Sequence, residues 1–482
     1  MRFFQVTSMK ITTILAVLLL SSPALALRST AETCQDSSSV SLSKNYHALD
    51  RTECLLNIRG GADKESTTGD DEYVYRTVQV QVIHRHGDRT PITPLKDEAF
   101  WAQQLVPKDL NDRVAMGTKV ARTVATNSGK NKLEVHAAAG KGPFGKLTKL
   151  GLLGMVQVGS NLKEDLEEST LWSEHTTASH IVTTTNDSDT IGARIRLTPK
   201  DIKVYSTDFA RTIQSVQGLL VGFFPDGIPS SDEIEIDCRD TTSWMIPDPQ
   251  PRQSKEQEDL ERELARQPHV LERDVVMKPL ATRVTQALLP LLGNEAFQVS
   301  FGVGEEDDKE DDTVPTLPWI QLAEITKCLS VRDMLPDSIS QGDMEALSSH
   351  TAWKWFQSLR NPRLAYLSMR RFTETLISAM KHRETEPPLI VYSCHDSSLI
   401  GMLCALRLEQ PSVWPEYGAV LKVELLERVK ANSGDDGDVS HVLRFFLNGE
   451  LLRSMWNDTP RDEIATEEFV SLISTEGRNI KV

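Results

Sequence analysis

Apolar positions along this chain fall into strand-like and helix-like runs, and these runs locate most of its elements. Val78, Val80, Val82 and Ile83 mark a short apolar strand, and Ile202-Lys203-Val204-Tyr205-Ser206 predicts a second. Leu389 to Cys394 is a continuous apolar run suited to a central strand. Helical spacing links Leu152, Met155, Gly159, Leu162 and Leu166, and again Ile213, Val216, Leu220 and Phe223. It recurs over Leu364, Leu367, Phe372, Leu376 and Met380, then over Leu399, Met402, Leu403 and Leu406. Thr148 and the neighbouring glycines are expected to cap the first helix and let it pack closely. Thr207 or Asp208 is expected to cap the second, which puts Arg211 in its first turn. Farther on, Leu421, Val423 and Leu425 alternate with Lys422 and Glu424, and Val442 to Leu447 offers a partner run; together they predict an antiparallel pair at a sheet edge. Residues 92 to about 142 and 170 to 195 keep no clean period and read as loop.

The reactive side chains gather where the strand runs stop. His84-Arg85-His86-Gly87-Asp88-Arg89-Thr90-Pro91 follows the first strand, and His395-Asp396 follows the run ending at Cys394. A strand end opening into a loop or helix is where an α/β fold places its ligands. Crowded cations repel one another unless an anion sits among them, and planar guanidinium groups match phosphate oxygens two at a time. A histidine between two such groups can act as a nucleophile, with Gly87 leaving room for close backbone approach. Arg211 opposes the dipole of its helix unless it too meets an anion. The plainer reading of Arg85 and Arg89 is a structural salt-bridge cluster with Asp88 and another acid. His84 and His86 share a strand face, which raises a metal reading, but no nearby His or Cys cluster completes a ligand set. His84 is therefore expected to pack, and Trp353 and Trp355 to serve a core or interface.

Composition adds the setting. The 482 residues are 39% apolar and 25% charged, enough for a large core. A net charge of −16 argues against nucleic acid or an anionic membrane as standing partner. Lys10, the apolar run Ile11 to Leu20 and Ala24-Leu25-Ala26 predict a signal peptide over residues 1–26, hence the secretory pathway, either secreted or in a lysosome- or vacuole-like compartment. A polar lead-in over 27–72, flexible or processed, precedes a core segment over 73–225. Residues 226–343 turn charged and proline-punctuated, with helical stretches near 254–266 and 275–292, and read as a helical insertion before a second core segment over 344–482. The run Glu305 to Asp312 reads as a solvated acidic loop. In an oxidising compartment six cysteines allow up to three bridges, with Cys34 and Cys54 placed to close a loop and Cys394 and Cys404 expected as buried thiols. Asn186 and Asn457 fit the glycosylation acceptor pattern.

Arg85, His86, Gly87, Arg89 and Pro91 spell the R-H-G-x-R-x-P signature, and on it the chain resembles the histidine acid phosphatases. The likeness extends to the L-T-x-x-G turn at Leu147 to Gly151, to the D-x-x-R-T context of Arg211, and to His395-Asp396. Gly145 to Thr148 and Trp414 to Tyr417 look most like the lysophosphatidic-acid and prostatic or lysosomal types. The resemblance implies an α/β fold: a central, mostly parallel sheet flanked by helices, like a phosphoglycerate-mutase core, with the insertion as a helical cap. It implies phosphate monoester hydrolysis through a phosphohistidine on His86, with Asp396 as leaving-group acid. Arg85, Arg89, Arg211 and His395 would hold the phosphoryl oxygens. No metal or other cofactor is expected, and the partner is a small phosphate monoester, without nucleic acid and without stable membrane insertion. The alternatives are a phytase or inositol-polyphosphate phosphatase, and an inactive secreted phosphate-binding protein.

Overall fold

The computed structural model describes residues 73–122, 140–173, 176, 181–183, 194–247, 254–293, 316–411, 414–430 and 439–478. The expected signal peptide and lead-in, Cys34, Cys54, Asn186 and the acidic run at 305–312 lie outside these residues.

In chain order the first half contains β1 (Tyr73–Arg85), α1 (Glu98–Gln103), α2 (Lys108–Val114), β2 (Thr118–Ala121), α3 (Lys149–Lys163), β3 (Ile181–Thr183), β4 (Arg194–Ile195), β5 (Ile202–Ser206), α4 (Ala210–Phe223) and β6 (Ile234–Asp237). There follow α5 (Lys255–Ala265), α6 (Pro268–Leu288), α7 (Trp319–Ser330), α8 (Gln341–Leu359), α9 (Pro362–Lys381), β7 (Leu389–Cys394) and α10 (Asp396–Ala405). The chain closes with β8 (Val420–Lys430), β9 (Ser440–Leu447), β10 (Glu450–Leu452), β11 (Ile464–Ala465) and α11 (Thr466–Arg478).

One sheet runs β10-β9-β8-β1-β7-β5-β6-β2, with β11 joined to β9. From β1 through β7, β5 and β6 to β2 the pairings are parallel, and β8, β9, β10 and β11 extend the sheet antiparallel. The α/β class is as expected, and the parallel half carries the strand ends that matter. The β8–β9 pair forms as predicted, but β8 lies inside the sheet against β1, leaving β10 at the edge. Its position follows from β1, which is buried on both faces and needs a hydrogen-bonding partner on each side.

Both faces of β1 are covered. Val80 and Val82 pack with Met155 and Leu162 of α3 and Val216 and Leu220 of α4, while Ile83 packs with Phe372 and Leu376 of α9 and Met402 of α10. Gln79 and Gln81 are also buried, and they are tolerated because Gln81 donates to the Leu376 carbonyl at 3.0 Å and accepts from the Tyr392 hydroxyl at 2.9 Å. Helices α6 and α7 and the start of α8 close a separate core, holding Leu280, Val284, Leu322, Ile325 and Leu347 with Trp101 of α1.

Several expectations change. The region read as loop from 92 to 142 contains α1, α2 and β2, whose 6, 7 and 4 residues are too few to display a period. Residues 226–343, read as a helical insertion, first contribute β6 to the main sheet, where it pairs with β5 and β2 on only two inward isoleucines, Ile234 and Ile236. Cys238 and Cys328, left open to bridging, are buried free thiols, as are Cys394 and Cys404. No helix among the described residues is long and apolar enough to cross a membrane.

Candidate active site

The parallel register brings three strand ends level. His84 lies opposite Ser393 across β1 and β7, and Ser206 of β5 lies opposite the same Ser393. The chain leaves all three strands at one rim, where Arg85, His86, Arg89, Arg211, His395 and Asp396 line a single cavity of about 580 Å³. All six residues singled out from sequence therefore meet. The turn after β1 is pressed against the start of α3. A Cβ on Gly87 would sit 2.4 Å from the Gly151 carbonyl oxygen, and one on Gly151 would sit 2.1 Å from that of Asp88, so neither position has room for a side chain. Thr148 caps α3 as expected, accepting from Gly151 N at 3.0 Å and donating to Asp88 Oδ2 at 2.5 Å.

His86 is buried, and its Nδ1 lies 2.8 Å from the Gly87 carbonyl oxygen. A carbonyl only accepts, so Nδ1 carries the hydrogen and the neutral ring keeps its lone pair on Nε2. Burial, then Arg211, Arg85, His395 and Arg89, hold His86 well below the ordinary histidine range, so the ring is neutral in mild acid. Burial and Arg211 do the same to His395, which caps α10 and places Nε2 3.0 Å from Thr207 Oγ1. Thr207 is thus committed to His395 and Thr212, and Asp208 to Arg122; α4 starts instead after Phe209, with no side-chain cap. Arg211 is still in the first turn, its guanidinium 4.6 Å from the Phe209 ring centroid. Burial, with Arg89 and Arg85 beside it, pulls Arg211 down to about 9 against the pull of Asp396. Three arginines held this closely favour an anion between them.

Asp396 pairs with Arg85, Oδ2 to Nη2, at 2.7 Å. Burial is the largest single influence on its carboxyl and pushes it up, but Arg85, the Trp414 hydrogen bond, His395 and Arg89 together hold it at about 2. His84 is fully buried and its Nδ1 donates to the Arg85 carbonyl at 3.0 Å, the packing role expected of it. Among the described residues no group of three or more His, Cys, Asp or Glu side chains is arranged to hold a metal.

The salt-bridge reading of Arg85 and Arg89 with Asp88 and another acid holds only in its second part: both arginines are ion-paired, Arg85 with Asp396 and Arg89 with Glu324, but neither with Asp88. Asp88 pairs with Arg332 at 2.6 Å, and Arg89 pairs with Glu324 at 2.8 Å, so each acid or base of the signature turn has its own distant partner. Glu324, on α7, also accepts from Ile92 N at 3.1 Å and Thr93 N at 2.9 Å. Trp414 donates from Nε1 to Asp396 Oδ2 at 2.9 Å, the Pro415 carbonyl accepts from Arg85 Nη1 at 2.5 Å, and the Tyr417 ring lies 4.3 Å from the Arg85 guanidinium. Sequence reasoning missed Glu324 and Arg332 altogether. It named Trp414 to Tyr417 only for likeness, though a tryptophan and a tyrosine in an otherwise polar loop were a usable signal. Trp355, expected in a core or interface, lines the cavity and meets the Trp414 ring edge-on at 5.9 Å.

Comparison with known proteins finds a family model, relatives and solved structures that this chain resembles. The family model described as the histidine phosphatase superfamily (branch 2) matches residues 78–267. Counting factor 60 of Dictyostelium discoideum is 26% identical over 393 residues, which span 77% of this chain and 79% of that protein. Lysophosphatidic acid phosphatase type 6 of Bos taurus is 27% identical over 189 residues, spanning 37% of this chain and 38% of that protein. Among solved structures, the apo form of Hafnia alvei phytase shares the fold with a TM-score of 0.50 at 13% identity, over 83% of this chain and 97% of that one. The matched stretch carries the complete signature turn at the end of β1 and Arg211 in α4, and over it the chain is similar to the second branch of the histidine phosphatase superfamily.

Proposed function

We propose that this protein hydrolyses phosphate monoesters in two displacement steps at His86. The observation that carries this reading is a buried, neutral His86 whose Nε2 lone pair is left for attack, beside Arg85, Arg89 and Arg211 in one cavity. Nε2 attacks phosphorus, the N–P bond forms as the P–O bond to the leaving group breaks, and Asp396 gives its proton to the departing alkoxide. Water then attacks the phosphohistidine, Asp396 takes the proton back, and inorganic phosphate leaves. The three arginines offset the charge on the equatorial oxygens, and neutral His395 donates a hydrogen bond to one of them. Asp396 must be neutral to serve as acid, yet at rest it is an anion paired with Arg85. A phosphoryl dianion draws Arg85 to itself and offsets its pull, so substrate binding raises the carboxyl and acidic pH favours the step.

The wall beyond the arginines favours one phosphate on an apolar body. Ile92, Ile246, Ile320, Met344 and Trp355 line it, and the further cation there, Lys327, is paired with Glu416 at 2.5 Å. Glu324 and Glu345 add acidic charge to the same lining. Simple or lysophospholipid-type monoesters therefore rank above inositol hexakisphosphate, whose extra phosphates would meet repulsion. The signal-like segment supports the secretory pathway as the setting of this activity. The test is phosphate release at acidic pH from lysophosphatidate, an aryl phosphate and phytate, by wild type and His86→Ala. His86→Ala should have no measurable turnover; near-normal activity would remove the mechanism. A clear kcat/KM preference for phytate would overturn the ranking and leave the mechanism standing.

A further inference from the structure

The ion pair between Arg85 and Asp396 is held at both ends by one loop. Trp414 donates to Asp396 Oδ2 at 2.9 Å, and the adjoining Pro415 carbonyl accepts from Arg85 Nη1 at 2.5 Å. Asp396 Oδ2 thus has two donors, Arg85 and Trp414, while Oδ1 accepts from Ser397 N at 2.8 Å. The two donors differ in what substrate does to them. Arg85 is a cation at the phosphate pocket and turns to a phosphoryl group. The Trp414 indole is neutral, has no such attraction, and is tied outward through its backbone N to Ser348 Oγ at 3.4 Å and through its ring to Trp355.

We infer that Trp414 is a positioning residue that keeps its grip on Asp396 after substrate has taken Arg85, aiming the carboxyl and setting the pH at which it can give up its proton. The inference rests on the phosphatase reading above. An indole N–H only donates, so it favours the carboxylate over the acid and cannot relay the acid's proton. Other charged or titratable groups face Asp396: Arg85 from the last position of β1, Arg89 from the turn after it, Arg211 from α4, and His395 and Cys394 from its own strand end. His86 lies with its ring centroid 5.6 Å from that of His395, and Glu345 of α8 and Glu416 of the Trp414 loop line the same cavity. Trp414→Phe replaces none of these groups, so the change isolates one donor.

Trp414→Phe keeps a ring and removes the N–H. For an alkyl phosphate, whose departure needs the acid, the alkaline limb of the kcat profile should move up by about one pH unit, the scale of one hydrogen bond to a carboxylate. An aryl phosphate, whose leaving group needs little protonation, should show no such shift. A merely structural role would lower both rates without moving either limb. An alkyl-phosphate limb that stays put in an active variant overturns the inference. Should the variant fail to fold, the contact is read in the wild type saturated with inorganic phosphate and labelled with 15N at the indoles of its 8 tryptophans. One indole signal should shift with pH in wild type and hold still in Asp396→Asn; no difference between the two proteins overturns the inference. A wild type without phosphate release on any monoester would instead sink the underlying reading, and the indole titration would still report on the contact.

Discussion

Replacing Glu324 should weaken the free protein far more than the phosphate-bound one. The Glu324 side chain is 10% exposed and faces an Arg89 side chain that is 6% exposed, so this is a buried pair. Its carboxylate accepts from Arg89, from Ile92 N and, on the other oxygen, from Thr93 N. Glutamine has nearly the same shape but carries an NH2 on one side. Turned one way it faces the Thr93 N–H donor to donor; turned the other it faces both Arg89 and the Ile92 N–H. Either way Arg89 is left as a buried cation without its counter-charge, a change that costs about 3–5 kcal/mol when one partner of such a pair is removed. Phosphate supplies an anion at Arg89, so saturating inorganic phosphate should recover much of the loss. Stabilisation by ligand should then be larger in Glu324→Gln than in wild type, although kcat falls because the Ile92–Thr93 backbone is no longer tied. Equilibrium urea unfolding, with and without phosphate at pH 6, measures both quantities. An equal loss in the two conditions would refute the idea that Glu324 is the resting counter-charge of Arg89. A loss below about 1 kcal/mol, the scale of an exposed pair, would refute the burial argument itself.

The other expectations are briefer. Asp396→Asn should slow alkyl phosphates on the order of 10²–10⁴-fold and aryl phosphates much less; equal losses would move the acid role elsewhere. Burial, against a backbone hydrogen bond that opposes it, lowers His84 from 6.5 to about 4, so the unfolded chain takes up this proton first as pH falls. Its contribution is fully present above pH 6.5 and is lost as pH drops toward 4, a fall of about 3 kcal/mol that His84→Gln should flatten in pH-dependent urea unfolding. Gly151→Ala places a methyl 2.1 Å from the Asp88 carbonyl, so it should displace the signature turn, and kcat should drop even where circular dichroism is unchanged.

How far the sequence reaches depends on how local each signal is. Arg85 ends an apolar strand with His86 and Arg89 just after it, His395 and Asp396 follow another, and Arg211 stands in the first turn of a helix, so period and position together locate all six. The parallel sheet then needs no further information to bring those ends level. The short elements escape because a strand of 4 residues such as β2 or β6 gives two inward positions, too few to tell from chance. The partners of the site escape for a different reason. Arg89 and Glu324 are 235 residues apart, and Asp88 and Arg332 are 244 apart; a glutamate on an amphipathic helix reads the same whether it meets water or a buried guanidinium. Trp414 is only 18 residues from Asp396, yet nothing in its neighbours says which carboxylate its N–H will meet. The reactive groups are thus written where the strands end, while the charges and donors that govern them arrive from elsewhere in the fold. Variation at Glu324, Arg332 or Trp414 should therefore change the pH range and phosphate affinity of this site while its signature stays intact.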